Sequence, residues 1–395
     1  DMTEAPTKVV TGQASSNIAV IKYWGKRDEK LILPLNGSIS FTLDPRDLGT
    51  LTTVAVSAEF KEDRIWLNGV EQDIENARIQ NVLRRLRGLD VDGRRVRIAS
   101  TNNFPTAAGL ASSASGYACL VFTLAQAFGF QESFPGELST IARMGSGSAC
   151  RSMFGGVVQW DVGERPDGID STAVQLFNAE HWPDLEVLIA VVSDAEKRTS
   201  STTGMQTSVE TSPLLAHRAQ NIVPKRLLEM KEAIARHDFP AFARLTMQDS
   251  NQFHATCLDT YPPICYLTDT SRALIDFVHA FNRAVGEDVA CYTFDAGPNA
   301  VLFTTTPQLP RLLAGLKAAF PASPDTEFIR GSTLHERLGG VSLEAIVPEE
   351  IPSVEPLTPG TLKHILHTTV GRDPVVVSHS VDDSLLDGTT WTPRR

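Results

Sequence analysis

A chain of mixed α and β structure, divided into two or three domains, is what this sequence predicts. Three observations lead there. Its 395 residues are two to three times the roughly 150 residues of a typical domain. Segments that alternate polar and apolar residues lie within residues 9–60, whereas helical spacing of apolar residues dominates beyond residue 192. Hydrophobic residues at 42% and charged residues at 21% supply an ordinary globular core and surface, which excludes a wholly disordered chain.

Taken in order, Ser38–Leu43 alternates as a half-buried strand does, and Leu51–Val56 is rich in Thr and Val, which suit pleated backbone. Ile65-Trp66-Leu67 ahead of Asn68-Gly69 predicts a strand entering a tight hairpin turn. Ile79, Val82, Leu83 and Leu86 share one face of a helix over Ile74–Leu86, and Val96–Ile98 is a short strand. Asn102–Ser113 is a loop opening into a small-residue, apolar helix over Ala114–Phe128. A second small-residue loop, Gly145–Ser152, precedes a strand at Val157–Trp160, and Leu185–Val192 has the composition of a buried strand. A polar, mobile loop is expected over Lys197–Gly204. Helices follow over Ile222–Ala235, Phe239–Ser250 and Thr270–Val285, then strands at Cys291–Phe294 and Val301–Phe303, and a helix over Leu309–Ala319. This divides the chain into an N-terminal domain (1–190), a C-terminal domain (191–347) and an irregular, Pro-rich tail (348–395) packed on the body. No internal repeat or low-complexity tract is visible.

The formal net charge of −11 argues against a nucleic-acid partner, because such binding draws on many basic residues. It leaves room for a small phosphorylated ligand, which needs only a local basic patch. Five cysteines, an odd number with no CxxC pair, give neither a zinc nor a disulfide framework and point to a reduced, cytosolic protein. The apolar stretch from Ala118 to Phe130 is too short to span a bilayer, and nothing in the first residues marks secretion.

Four constellations invite chemistry. The loop Asn102–Ser113 ahead of a helix offers backbone N–H groups and a positive helix end to an anion, with Ser112 and Ser113 adding hydroxyls. It is neither a Walker A loop nor a GxGxxG fingerprint, and the same composition serves a helix packed tightly on a sheet. Gly145–Arg151 reads either as an anion-binding nest completed by Arg151 or as a surface turn. Lys22-Tyr23-Trp24-Gly25-Lys26-Arg27 sets three cations among two aromatics, as an electropositive wall or as a solvated edge. Asp295, in Phe294-Asp295-Ala296-Gly297-Pro298, stands at a strand end, suited to a general base or to an Asx turn. The nine histidines show no metal-binding spacing such as HExxH, and no GxSxG elbow is present.

Together, Ala14–Ala19, Lys22–Lys26, Asn102–Ser113, Arg143–Ser152, Asp249–Thr256 and Tyr292–Ala300 resemble the diphosphomevalonate decarboxylase family, particularly its eukaryotic, fungal-like branch. That family belongs to the galactokinase, homoserine kinase, mevalonate kinase and phosphomevalonate kinase superfamily. The blocks follow the family's order over about three quarters of the chain. The resemblance implies a two-domain α+β small-molecule-kinase fold with the active site in the inter-domain cleft. It implies ATP, Mg²⁺ and (R)-5-diphosphomevalonate as ligands, a homodimer, and a place in isoprenoid and sterol synthesis.

By position, Asp295 matches the catalytic aspartate, Arg151 the arginine that holds the substrate carboxylate and steadies that aspartate, and Lys22 a lysine near the reacting centre. Ser113 matches a serine turned toward the transferred phosphoryl group. The substrate site is expected to take in Tyr23, Trp24, Gly25, Lys26, Arg78, Ser146, Gly147, Ser148, Ala149, Cys150, Arg151 and Thr202. Asn103, Pro105, Gly109, Ser112, Ser113 and Lys197 fall to ATP; the Mg²⁺ ligands are unassigned. A small-molecule kinase of the same superfamily and a nucleotide or metabolite sensor remain as alternatives. The setting of Asp295, with Lys22–Lys26, favours the decarboxylase over both.

Overall fold

The computed structural model describes residues 7–88, 93–104, 112–193, 198–324, 326–346 and 355–394. The first half opens with β1 (Lys8–Ser15), β2 (Asn17–Ile21), β3 (Lys26–Asp28), β4 (Leu33–Pro34) and β5 (Ser38–Thr42). The short helix α1 (Pro45–Leu48), capped by Asp44, turns the chain into β6 (Gly49–Ser57). β7 (Arg64–Leu67) and β8 (Val70–Gln72) form the expected hairpin, with Asn68 and Gly69 at φ of 48° and 79° as a two-residue turn requires. Helix α2 (Ala77–Arg87) buries all four residues of the predicted face. Then come β9 (Arg95–Asn102), α3 (Ser112–Phe128), α4 (Glu137–Gly145), β10 (Val157–Trp160), β11 (Ala173–Phe177) and β12 (Leu185–Val191).

The second half contains α5 (Ser201–Thr211), α6 (Pro213–His217), α7 (Val223–Ala235), α8 (Phe239–Asp259) and α9 (Asp269–Val285). After them lie β13 (Ala290–Phe294), β14 (Ala300–Thr305), α10 (Leu309–Ala319), β15 (Ile329–Arg330), β16 (His364–Thr369) and β17 (Val375–Ser378).

Among the described residues, three main sheets result, ordered β17-β1-β6-β9-β7-β8, β11-β10-β5-β2 and β13-β14-β12-β16-β15. Pairings are antiparallel except β7–β9 and β15–β16. Helices α2, α3 and α4 cover one face of the first sheet with a core of Val10, Val54, Val82, Ile98, Val121 and Leu124. A larger core joins β2 and β5 to β12–β14 and helices α7–α10. Phe242 of α8 meets Phe41 and Phe303 edge-on, at ring distances of 5.7 and 5.4 Å.

Two expectations are corrected. The tail is not irregular throughout: β16 is an interior strand between β12 and β15, and β17 pairs with β1 at the edge of the first sheet. Its Pro-rich opening gives no hint of the alternating segments that follow. The boundary at residue 190 falls inside β12, which is hydrogen-bonded on both sides to strands from residue 300 onward.

Candidate active site

Strand ends bring the chemistry together. Lys22 follows β2 directly, and Asp295 follows β13. The Lys22 Nζ donates to Asp295 Oδ1 at 2.7 Å, with the lysine side chain 2% exposed and the carboxylate 37% exposed. The cation is therefore inside the protein while the acid faces the cleft. Burial pulls the Lys22 ammonium below the ordinary lysine value, and the adjoining Asp295 carboxylate opposes that pull.

Arg151 stands on a 3₁₀ turn, Gly147–Met153, where a loop was expected. The small residues end α4 and allow the tight turn; Gly147 leaves room for Tyr23, whose hydroxyl would lie 2.9 Å from an added Cβ. The Arg151 Nε donates to Asn17 Oδ1 (3.1 Å) and Ser40 Oγ (2.9 Å), and its Nη1 to Ser38 Oγ (2.8 Å). Its guanidinium lies 5.9 Å from the Trp160 ring. Burial lowers its pKa, while the charge of Asp295 works in the opposite direction. The planar fork is thus held rigidly close to the Lys22–Asp295 pair.

One cleft collects Lys22, Tyr23, Trp24, Lys26, Arg78, Ser113, Ser146, Gly147, Ser148, Arg151, Thr202 and Asp295. Its walls come from both halves of the chain. Ser113 and Ser146 hydroxyls meet at 3.2 Å, which ties the start of α3 to the residue between α4 and the 3₁₀ turn. Thr202 stands in the first turn of α5, capped by Ser200, so the second part of the expected loop is helical. Lys26 is bonded to Glu29 at 2.6 Å. Gly25, at φ +88°, packs against Val209 and Leu215, and Ala149 and Cys150 are fully buried; none of these three lines the cleft. Burial raises the Cys150 thiol to about 12, so it remains protonated near neutral pH.

The nucleotide expectations divide. Pro105, Gly109 and Lys197 lie outside the described residues. Asn103 is committed to the fold: its amide donates to the Pro45 and Arg46 carbonyls and accepts from Gly49 N–H. Ser112 and Ser113 do face a recess beside the main cleft, lined also by Ile65, Trp66, Leu67, Ile79, Tyr117 and Leu120. Ser113 belongs to both spaces. Tight packing, the other reading of the small-residue helix, also holds. The Cys119 thiol lies within 3.3 Å of the Gly12 and Thr50 carbonyls, and a Cβ at Gly12 would come within 2.4 Å of Thr123 Oγ1.

Several contributors carried no separate signal in the sequence. Asn17, besides accepting from Arg151, donates to Ser148 O and Ser152 Oγ. Phe253, Met205, Ile32, Ala19, Ser201 and Ala296 also line the cleft. Asp249–Thr256 stood out as a matched block, but only the fold shows which of its side chains point toward Lys22 and Asp295.

Comparison with known proteins follows the same geography. Residues 14–173 match the diphosphomevalonate decarboxylase-like N-terminal domain, and residues 187–377 match the mevalonate 5-diphosphate decarboxylase C-terminal domain. The chain belongs to the diphosphomevalonate decarboxylase family. A relative of that name from Bos taurus is 51% identical over 389 residues, 95% of each chain. The solved mevalonate diphosphate decarboxylase from Trypanosoma brucei is 39% identical and superposes with a TM-score of 0.87, covering 96% of this chain and 100% of that one. A further structure, MDDEF in complex with MVAPP, AMPPCP and magnesium, is 32% identical with a TM-score of 0.71, covering 94% and 100%.

Proposed function

We propose that this protein carries out the ATP-dependent decarboxylation of (R)-5-diphosphomevalonate to isopentenyl diphosphate, releasing ADP, phosphate and CO2. The observation that carries the reading is the Lys22–Asp295 pair, a 2.7 Å contact in a cleft that also presents Arg151, Arg78 and Lys26, in a chain of this family. A cleft that brings Lys22, Lys26, Arg78 and Arg151 together in an otherwise acidic protein is suited to a substrate bearing a diphosphate and a carboxylate.

The substrate has no carbonyl β to its carboxylate, so electrons from C–C cleavage have nowhere to go until the C3 oxygen becomes a leaving group. Phosphoryl transfer from ATP to that oxygen supplies one. Asp295 accepts or orients the proton of the C3 hydroxyl. Lys22, beside it, neutralises charge on the moving phosphoryl. When phosphate leaves, positive charge grows at C3, and loss of CO2 delivers its electron pair there to form the double bond. Arg151 orients the carboxylate through its fixed fork. In this assignment Ser113 faces the transferred group, with the polyphosphate over the start of α3 and the adenine in the apolar recess beside Trp66. Mg²⁺ travels with the nucleotide as part of that substrate.

Turnover of ATP, Mg²⁺ and (R)-5-diphosphomevalonate should give ADP, inorganic phosphate, CO2 and isopentenyl diphosphate in equal amounts. ADP without phosphate and CO2 would mark a kinase; binding without ADP would mark a sensor. The proposal extends to a homodimer resident in the cytoplasm and serving isoprenoid and sterol synthesis. All five cysteines are unpaired, in keeping with a reducing compartment. Light scattering on the purified chain tests the dimer.

A further inference from the structure

Neither of the two charges at the reaction centre lies within a sheet ladder. Lys22 is one residue past β2, where the pairing with β5 has already slipped between Ala19 and Ile21; Asp295 is one residue past β13. Something else must fix their separation. Both approach α8, a helix of 21 residues, at adjacent positions.

Asp249 of α8 is fully buried and accepts the Lys22 backbone N–H on Oδ2 at 2.7 Å. Its carboxylate is clamped by Arg218, whose Nη1 and Nη2 donate at 2.7 and 2.8 Å, and by Arg226 Nη1 at 2.9 Å. Arg218 also donates through Nη2 to the Lys22 carbonyl at 3.2 Å, joined there by Asn36 Nδ2 at 2.9 Å. Gln252, one turn along α8, accepts from both arginines. The peptide groups on both sides of the Lys22 Cα are therefore tied down. The next residue, Ser250, accepts the Phe294 N–H on its hydroxyl at 3.0 Å, and Phe294 is bonded covalently to Asp295. His254, one turn on, packs its ring against Phe294 at 6.1 Å.

We propose that Asp249 and Ser250 are positioning residues that set the Lys22–Asp295 geometry, one holding each partner from neighbouring places on a single helix. Neither touches the cleft; each acts through a backbone N–H. The bidentate arginine keeps the Asp249 carboxylate ionised and in one orientation, so its grip on Lys22 is stiff. Arg218 and Asp249 are both 0% exposed, and a buried pair of this kind is a poor source of net stability because both charges lose their hydration. Orientation of Lys22 is a benefit it does supply. The inference rests on the functional reading of Lys22 and Asp295 given above.

The test is a double-mutant cycle on the full chain with Mg·ATP and (R)-5-diphosphomevalonate. Asp249→Asn keeps the shape of the side chain but replaces one acceptor oxygen with a donor. A displacement of about 1 Å at a reacting group is worth about 10²-fold in rate, and kcat should fall by about that factor, with KM for both substrates within about threefold. In a Lys22→Met background the same change should add less than about threefold, because the group it positions is gone. Ser250→Ala, which buries no new charge, should lower kcat about tenfold with KM unchanged and show the same non-additivity with Asp295→Asn, the group it positions; it decides the matter alone if Asp249→Asn does not fold. Multiplicative effects, a change in KM alone, or wild-type kcat in the folded variants would overturn the proposal. Wild-type protein that fails to turn over would instead overturn the functional reading, and this one with it.

Discussion

Replacing Lys22 with methionine should separate activity from stability. Methionine retains the length and apolar volume of the lysine stem and deletes the ammonium. On the stability side two effects oppose. Breaking a fully buried ion pair typically costs about 3–5 kcal/mol, because the remaining charge is stranded. Here the remaining charge is Asp295, whose side chain is 37% exposed, so water takes over much of its solvation and that cost shrinks. The substitution also removes the burden of keeping a 2% exposed cation out of water, the same burden that lowers its pKa. The terms nearly cancel, and with about 2–4 °C of Tm per kcal/mol for roughly 150–250 residues and less for a longer chain, Tm should move by only a few degrees. On the activity side nothing compensates. A fixed electrostatic donor at developing charge is worth about 10²–10³ in kcat, and that loss is expected in full. Steady-state ADP release and a thermal melt on the same preparation measure both. A kcat within fivefold of wild type would refute the assignment of Lys22. A fall in Tm beyond about 10 °C would refute the balance of terms.

Arg151→Lys should lower kcat about 10²-fold, since one ammonium cannot reproduce the fork that reaches Asn17, Ser38 and Ser40; steady-state kinetics check it. His254 has its pKa lowered from 6.5 to about 3 by burial first and by Lys22 second, so its native form stays neutral while the unfolded chain takes up a proton. Its contribution is complete above pH 6.5 and is lost as pH falls toward 3, at about 1.4 kcal/mol per unit. His254→Phe should flatten the decline in urea-unfolding free energy over that window, and an unchanged slope would count against it. Ending the chain at residue 346 should abolish cooperative unfolding by removing β16 from the middle of its sheet; a sharp melt within a few degrees of wild type would contradict this.

Much of the fold was legible because its signals are local. The face Ile79, Val82, Leu83 and Leu86 is a period any helix must show, and Asn68-Gly69 can turn only in a few ways. The site was partly legible for another reason: Lys22–Lys26, Gly145–Arg151 and Asp295 are unusual runs whose chemistry shows in their residue types. What escaped is non-local. Asn103 looks like a phosphate ligand beside Ser112, yet its amide goes to the backbone around α1, and no spacing in the sequence reports that. Asp249 is one residue of a matched block and Arg218 carries no signal of its own, until tertiary packing buries both. The strands of the tail are short, and their partners lie some 180 or 360 residues earlier along the chain (β12 and β1).

That last pairing has a consequence for how the molecule is made. β1 leaves the ribosome well before β17, the strand some 360 residues later that satisfies its outer edge. The interior of the third sheet likewise waits for β16. Until β17 follows, therefore, β1 carries an open row of backbone donors and acceptors, available to other nascent chains. The segment after β17 then docks, with Leu386 and Trp391 packed against Phe60 and Trp66. A prematurely terminated product would retain most of the catalytic side chains yet lack the strand that shields its oldest edge, and protein quality control rather than loss of chemistry would decide its fate.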